Sequence, residues 1–526
     1  MTMIIDPREP PYNAAANGST DDAAALQSAL NSGNLVWLAP NATFAFGTQL
    51  TIPANGGFVG GGTLRMLTGT GKFDVSTYAG GFSKAGVYAY GVSNIIVEAK
   101  IEMEASTSIR TCSGIAVRNC IRPTLDIEAS NFKEAEFPIV TLDSVTGGVV
   151  RAYVHDCGTN STTLPTMQIT GVGVDANRVG GLNSTGIDFD VDCRRIRLGA
   201  AARAHYGEQT DGFNGQAIGY AGLRGTIYAE DVGEGCDLFS DHCNLTVVAR
   251  NCYNNGVKLI HGASYNIIKA TVDGTAKSAL VLGGASDSTS PKVVQRNRIE
   301  LTASRVGELD PGAYPNSAAV ATDSTSATYR PMYNHIAVTA YGNGSAMKYV
   351  VFEESGSNNF FDADGDGWAT QFAYIASTAG AGKDVSTIRR ARKSIVQAYI
   401  GTATTITNGA GIPYDTVITD TNGEFAAGIF TSHCAGWFNV KAQVRLPAIA
   451  SNADVALAVF KNGGTIIHRC AAQNYAATVQ PVWVTVSAAV WLNGGETLQI
   501  KALTAIMGPV NVTNIADYSF IEIEQV

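Results

Sequence analysis

The chain has 526 residues, of which 15% are charged, with 57 glycines and a formal charge of −9. Low charge with abundant glycine excludes coiled coil, helical bundle and charged disorder, and favours turn-rich β structure. No apolar run of about 18 residues exists to span a membrane, and an acidic chain lacks the basic face that nucleic acid needs.

The opening residues Met1-Thr-Met-Ile-Ile-Asp-Pro-Arg-Glu-Pro10 hold neither a basic n-region nor an apolar h-region, so no secretory signal is expected. Residues 17–33 read as a helix: Ser19 or Thr20 caps it, Asp21 and Asp22 suit its positive end, and Gly33 ends it. Ala23, Leu26, Ala29 and Leu30 form its apolar stripe. Short β runs follow at Leu35–Pro40 and Gln49–Pro53. Gly18, Asp21, Asp22, Ala25, Leu26, Gln27, Ala29 and Leu30, then Leu38, Pro40 and Phe44, form a pattern of known type. It resembles the start of the pectate-lyase-like right-handed β-helix superfamily, which includes many phage tailspikes. The resemblance implies that the helix caps the open end of a solenoid.

In the middle of the chain, Gly215-Gln-Ala-Ile-Gly, Gly235-Cys-Asp-Leu-Phe, Gly256-Val-Lys-Leu-Ile and Ser278-Ala-Leu-Val-Leu align on their first residues. Second β runs follow the first three at Gly225, Asn244 and Asn266, and looser copies of the first run begin at Gly114, Pro138 and Gly186. A repeat of about 20–25 residues without helical periodicity or a leucine-rich signature means a parallel β-helix. Asp362-Ala-Asp-Gly-Asp-Gly367 resembles half a calcium loop, but Ala373 stands where the bidentate Glu belongs, so it reads as a polar turn. Arg389-Arg-Ala-Arg-Lys393 reads as a solvated linker or an inter-subunit contact.

From Ser394 onward short strands recur at intervals of about ten residues, as in a β-sandwich. Ile412-Pro-Tyr-Asp-Thr-Val417, Asp420-Thr-Asn-Gly-Glu-Phe425, Ala435-Gly-Trp-Phe-Asn-Val440, Trp491-Leu-Asn-Gly-Gly-Glu496 and Phe520-Ile-Glu-Ile523 fall in an order that resembles the complement-head and tumour-necrosis-factor-like jelly roll. That family's habit implies a homotrimer. The expected fold is therefore all-β. Residues 1–65 hold the cap helix and first coils, 66–370 the glycan-binding or catalytic β-helix, 371–394 a linker, and 395–526 a jelly-roll trimerisation domain.

Alternation along a strand turns Asp237, between Cys236 and Leu238, outward, and does the same for Lys258 between Val257 and Leu259. Coils about 4.8 Å apart place the two side by side. Asp188, between Ile187 and Phe189, reads as the equivalent residue of an earlier coil. Glu208, Asp211, Glu234, Asp241, His242 and His261 sit beside these strands, and Tyr206 in an irregular insertion. Paired carboxylates suit glycosidic cleavage, one as acid and one as base or nucleophile. The catalytic candidates are thus Asp237, Glu234, Asp211 and Glu208. Lys258, Asp188, Asp241, His242, His261 and Tyr206 are candidates for binding substrate. No metal and no cofactor are expected.

Gly235-Cys-Asp-Leu with Asn244-Leu-Thr also resembles the coil of alginate epimerases and lyases that carries G-F-D-P-H-E…N-L-T. Asp237 matches that motif's aspartate, whereas Phe239 occupies the place of its catalytic histidine. The resemblances together imply a phage-tailspike-like depolymerase of a bacterial surface polysaccharide, carried on the virion, acting outside the cell, and docking to a tail or baseplate adaptor. Hydrolysis is favoured, with uronate β-elimination and a non-enzymatic glycan-binding fibre as alternatives. Nine cysteines without a C-x-x-C pair read as small buried hydrophobes.

Overall fold

The computed structural model describes residues 3–68, 85–104, 113–132, 138–159, 173–179, 182–201, 210–284, 293–312, 314–324, 330–342, 346–366, 368, 373–375, 386–390, 394–402, 404–432, 436–449, 454–473, 480–493, 495–504, 510–512 and 519–526. Two compact units divide it, the first running to Phe361 with short later pieces and the second chiefly Ile388–Val526.

In the first unit each coil contributes one strand to a 13-stranded sheet and one to a 17-stranded sheet. Neighbouring coils pair in parallel, Glu234–Asp241 with Val257–Leu259 in the first sheet, and Asn244–Cys252 with Ile267–Thr275 in the second. Aliphatic residues stack from coil to coil in the wider sheet: Ala152, Val191, Ile227, Val247, Ala270, Leu301 and Val338 occupy one register row. All are buried, and each larger member contributes about 1.5–3 kcal/mol by leaving water. Gly225 lies where two backbones nearly touch: its φ is +127°, and a Cβ there would fall 1.8 Å from the Phe189 carbonyl oxygen.

A one-residue left-handed turn leads from the first sheet to the second. His242, Tyr265, Arg296 and Tyr333 hold it in four successive coils, with φ of 60°, 58°, 55° and 56°. Such a conformation costs an ordinary residue about 1–2 kcal/mol. A buried asparagine ladder just after the turn offsets that cost. Asn266 Oδ1 accepts from Cys243 N at 2.8 Å, Asn297 Oδ1 from Asn266 N at 3.0 Å, Asn334 Oδ1 from Asn297 N at 3.1 Å, and Asn359 Oδ1 from Asn334 N at 3.1 Å. Glu353 ends the ladder, taking Asn359 Nδ2 at 2.9 Å.

Several expectations are corrected. The helix spans only Ala23–Asn31, and Asn17–Asp21 form a strand. Asp21 accepts from Ala23 N, the first residue of the helix, at 3.1 Å as well as from Gly47 N, as expected of an acid at the helix start, whereas Asp22 gives its carboxylate to Ala15 N and Ala16 N. Residues 362–366 belong to the strand Phe360–Asp366 rather than to a turn. The Gly215 run is out of register: Asn214 pairs with Asp237 and Gly215 with Leu238, and the register shifts between Gly215 and Gly219. Val257 pairs with Leu280, not with Ala279. None of the seven described cysteines forms a disulfide, and six are buried.

The second unit is a β-sandwich of two five-stranded sheets. Ile395–Tyr399, Thr416–Asp420, Gly436–Ile449, Gln480–Leu492 and Phe520–Gln525 build one of them. Phe430, Phe438, Val440, Val444, Leu457 and Ile500 lie in the core between the sheets. On the opposite face of the first sheet Trp437 pairs with Trp491, the two rings 5.8 Å apart and about half exposed. Trp483 lies further along, with Arg445 5.6 Å from its ring centre.

Candidate functional site

The 13-stranded sheet carries a register row of polar residues: Thr141, Asp175, Asn214, Asp237 and Lys258. Asp237 and Lys258 lie directly opposite each other, as the alternation of their strands predicts. Cys236 and Leu238 on either side of Asp237 are buried in the core, so its carboxyl points out of the coil. It is nevertheless buried, as are Asp211, Asn214 and Glu234. Buried carboxylates are rare unless paired, and the pairing here is specific.

Lys258 Nζ donates to Glu234 Oε2 at 2.8 Å and to Asp237 Oδ2 at 2.9 Å. Those two oxygens therefore lie within about 6 Å of each other, on the scale at which paired carboxyls act on glycosidic bonds. Glu234 Oε1 accepts from Asn254 Nδ2 at 2.5 Å and from Asn255 Nδ2 at 3.1 Å. Three donors thus fix its orientation. Asp211 stands opposite Glu234, and its Oδ2 accepts from Asn214 Nδ2 at 3.0 Å. Asp237 Oδ1 and Asn214 Oδ1 are buried and have no donor among the described residues.

Burial pushes the Asp237 carboxyl up to about 7, with Lys258 pulling it down and Glu234 pushing it up. Burial, then the charges of Glu234 and Asp237, hold Asp211 well above the usual carboxylate range. Burial works against the charge of Lys258, but Asp237, Glu234 and Asp211 outweigh it and keep the ammonium protonated well beyond an ordinary lysine. The groups titrate as a set rather than singly. One cation thus bridges two carboxyls, of which Asp237 is partly protonated near neutrality.

The remaining candidates lie elsewhere. Asp188 is corrected: it begins a strand of the 17-stranded sheet, paired with Val149 and Arg224, and does not share a sheet with Asp237. Asp241 lies four residues beyond Asp237 and accepts from Ser264 N at 2.8 Å. His242 stacks on Tyr265 at 5.0 Å and meets Tyr220 at 5.3 Å. His261 packs on Phe239, ring centres 4.5 Å apart. Glu208 and Tyr206 lie outside the described residues. Asn214, Asn254 and Asn255 are contacts that the sequence pattern did not single out. Among the described residues no group of three or more His, Cys, Asp or Glu is arranged to hold a metal ion, and no helix is long and apolar enough to cross a membrane.

No family model and no curated protein matches the chain. Among solved structures it is similar to the A-module of the mannuronan C-5 epimerase AlgE6 from Azotobacter vinelandii, with a TM-score of 0.50 and 13% identity over 74% of this chain and 99% of that one. The first unit accordingly has a parallel β-helix fold. Two further neighbours each cover 26% of this chain. The Eiger tumour necrosis factor of S. frugiperda is 15% identical, with a TM-score of 0.23 and 92% of its length covered. The globular domain of zebrafish complement 1qA is 12% identical, with a TM-score of 0.22 and 98% covered.

Proposed function

We propose that the chain is a polysaccharide depolymerase acting by hydrolysis at the Asp211–Glu234–Asp237–Lys258 cluster. Asp237 carries this reading: a buried, outward-facing carboxyl, one oxygen on Lys258 and the other without a donor, that burial keeps protonated to about pH 7. Such a group is poised as a general acid at neutral pH. Its proton passes to the bridging oxygen as the bond to the anomeric carbon breaks. Glu234, fixed by three donors, faces the positive charge that develops there. Water then adds to the anomeric carbon, and its proton restores Asp237. Lys258 is no base in this scheme, since its neighbours keep it charged; it holds the carboxylates in place. Sugar hydroxyls supply donors to Asn214 Oδ1, which otherwise pays for its burial.

Uronate β-elimination is the second reading. It is favoured by His261 against Phe239, the place of the epimerase-like histidine, and by the mannuronan-acting fold neighbour. The phage tailspike assignment and its bacterial polysaccharide substrate rest on the motifs of residues 18–44 and 395–526. A homotrimer fits the tryptophans exposed on one face of the sandwich; Trp437→Ser with Trp491→Ser should then leave monomers in light scattering.

The test is a paired assay on acidic and neutral bacterial exopolysaccharides, reading new reducing ends and unsaturated-uronate absorbance together. Reducing ends alone support hydrolysis. Both signals rising together establish elimination, and silence on the host's own polymer leaves a binding fibre.

A further inference from the structure

A second amine stands beside the carboxylate cluster and takes no part in the scheme above. Lys277 occupies the turn one coil beyond Asn254, its N–H donating to the Asn254 carbonyl oxygen at 2.9 Å. The next residue, Ser278, donates its N–H to Asn255 Oδ1 at 3.3 Å. Lys277 is therefore stacked one coil spacing, about 4.8 Å, from the two asparagines that grip Glu234. Its ammonium lies 4.6 Å from the ring centre of Tyr314. Its side chain is half-buried.

Unlike Lys258, Lys277 makes no ion pair among the described residues. Among the described residues its ammonium faces the Tyr314 ring, and a ring face holds a partly desolvated ammonium less strongly than a charge-assisted hydrogen bond to an anion does. Burial and the charge of Lys258 both disfavour the protonated form of Lys277, and Glu234 favours it. An incoming anion would add a counter-charge at the one amine of the cluster that lacks it. Lys258 is unsuited to that task, because two carboxylates already occupy it.

We propose that Lys277, with Tyr314 against its ammonium, selects glycans that bear an anionic group beside the bond acted on at Glu234 and Asp237. The inference rests on the site reading given above and specifies its substrate class. The anion is a carboxylate or another acidic substituent, and the Tyr314 ring walls the ammonium on one side so that approach is confined to the other. Lys277 is thus a specificity-determining residue and needs no role in bond cleavage.

The test uses the full chain with its lysines reductively methylated with carbon-13, the Lys277 signal being assigned by its loss in Lys277→Arg. Sodium glucuronate should shift that signal and glucose should not, at concentrations up to about 50 mM, enough for weak monosaccharide affinity. An equal response to both sugars, or none to glucuronate, overturns the proposal. On whichever polymer is cleaved, carboxyl reduction should lower kcat/KM at least tenfold for the wild type and leave Lys277→Met unaffected. In Lys277→Met the loss on the native acidic polymer should fall on KM, with Lys277→Arg restoring it. A neutral polymer as the best substrate also overturns the proposal. If glucuronate shifts Lys277 while no polymer is cleaved, the hydrolytic reading fails and this one stands. Unchanged melting temperatures in the variants separate recognition from folding.

Discussion

Replacing Asp237 by Asn keeps the shape of the side chain and removes its titration. In the folded chain this carboxyl holds its proton to about pH 7 instead of the usual 3.8. Between those values the native state binds a proton that the unfolded chain has released, so the stability Asp237 contributes is full below about pH 4 and lost as pH rises to about 7. At 1.36 kcal/mol per pH unit, the upper bound on that loss is about 4 kcal/mol. The lowered carboxyls, such as Asp156 and Asp273, complete their ionisation at lower pH and do not offset it. Wild-type protein should therefore melt at a lower temperature at pH 8 than at pH 5. Asp237→Asn should narrow that gap, with Asp211 and Glu353, both raised by burial, keeping part of it. The same substitution should lower cleavage by about 100- to 10,000-fold, the usual worth of a general acid, and wild-type cleavage should decline above about pH 7. Calorimetry at fixed scan rate and a reducing-end assay read the two effects. A wild-type melting temperature that is flat or rising from pH 5 to pH 8, or a gap unaltered in the variant, would refute the argument.

Lys258→Met leaves Glu234 and Asp237 facing each other without their shared cation. Melting at pH 8 should show a loss of about 3–5 kcal/mol, as for a broken buried pair, and the loss should shrink at pH 5, where protons replace the ammonium. Asn297→Ala removes the acceptor of Asn266 N and two donated bonds, to the Ala263 carbonyl oxygen and Asn334 Oδ1. Denaturant unfolding should place the cost at about 2–4 kcal/mol, with cleavage per folded molecule unchanged. Gly225→Ala sets a methyl group against the Phe189 carbonyl oxygen at 1.8 Å; circular dichroism and proteolysis should show failure to form those coils, whereas Gly33→Ala, with open space around it, should cost about 1 kcal/mol for its positive φ.

Asp237 and Lys258 were legible because alternation fixes their face and the 21-residue offset between Cys236 and Val257 holds without interruption. Asp188 was misread because both sheets alternate alike: Ile187-Asp188-Phe189 looks like Cys236-Asp237-Leu238. What separates them is the left-handed Gly186 just ahead of the first, which marks a strand of the second sheet. Gly215 misled for another reason. Glycine was the visible anchor of the repeat, but the glycine opposite Gly235 is Gly212, since Asp211 pairs with Glu234 and Phe213 with Cys236. The asparagine ladder has no fixed period in the sequence, because its rungs lie 23, 31, 37 and 25 residues apart. Period is lost to variable excursions between coils, while the local signal survives as an asparagine two residues ahead of an aliphatic one, as in Asn297-Arg298-Ile299 and Asn334-His335-Ile336. The protonation pattern was only partly legible: clustered acids implied separated pKa values, but that Lys258 would be locked as a cation depended on two contacts within 3 Å.

The asparagine ladder also makes the solenoid modular. Every rung offers the preceding one the same acceptor, so a coil can be excised or duplicated at the asparagines without a new junction having to be invented. Joining Asn266 directly to Arg298 would present the Asn334 acceptor to Asn266 N in place of that of Asn297. The carboxylate-bearing coils would be untouched, yet Lys277 would be gone. Solenoid length and the proposed anion-selecting lysine can therefore change in one genetic step while the proposed bond-breaking groups keep their coils.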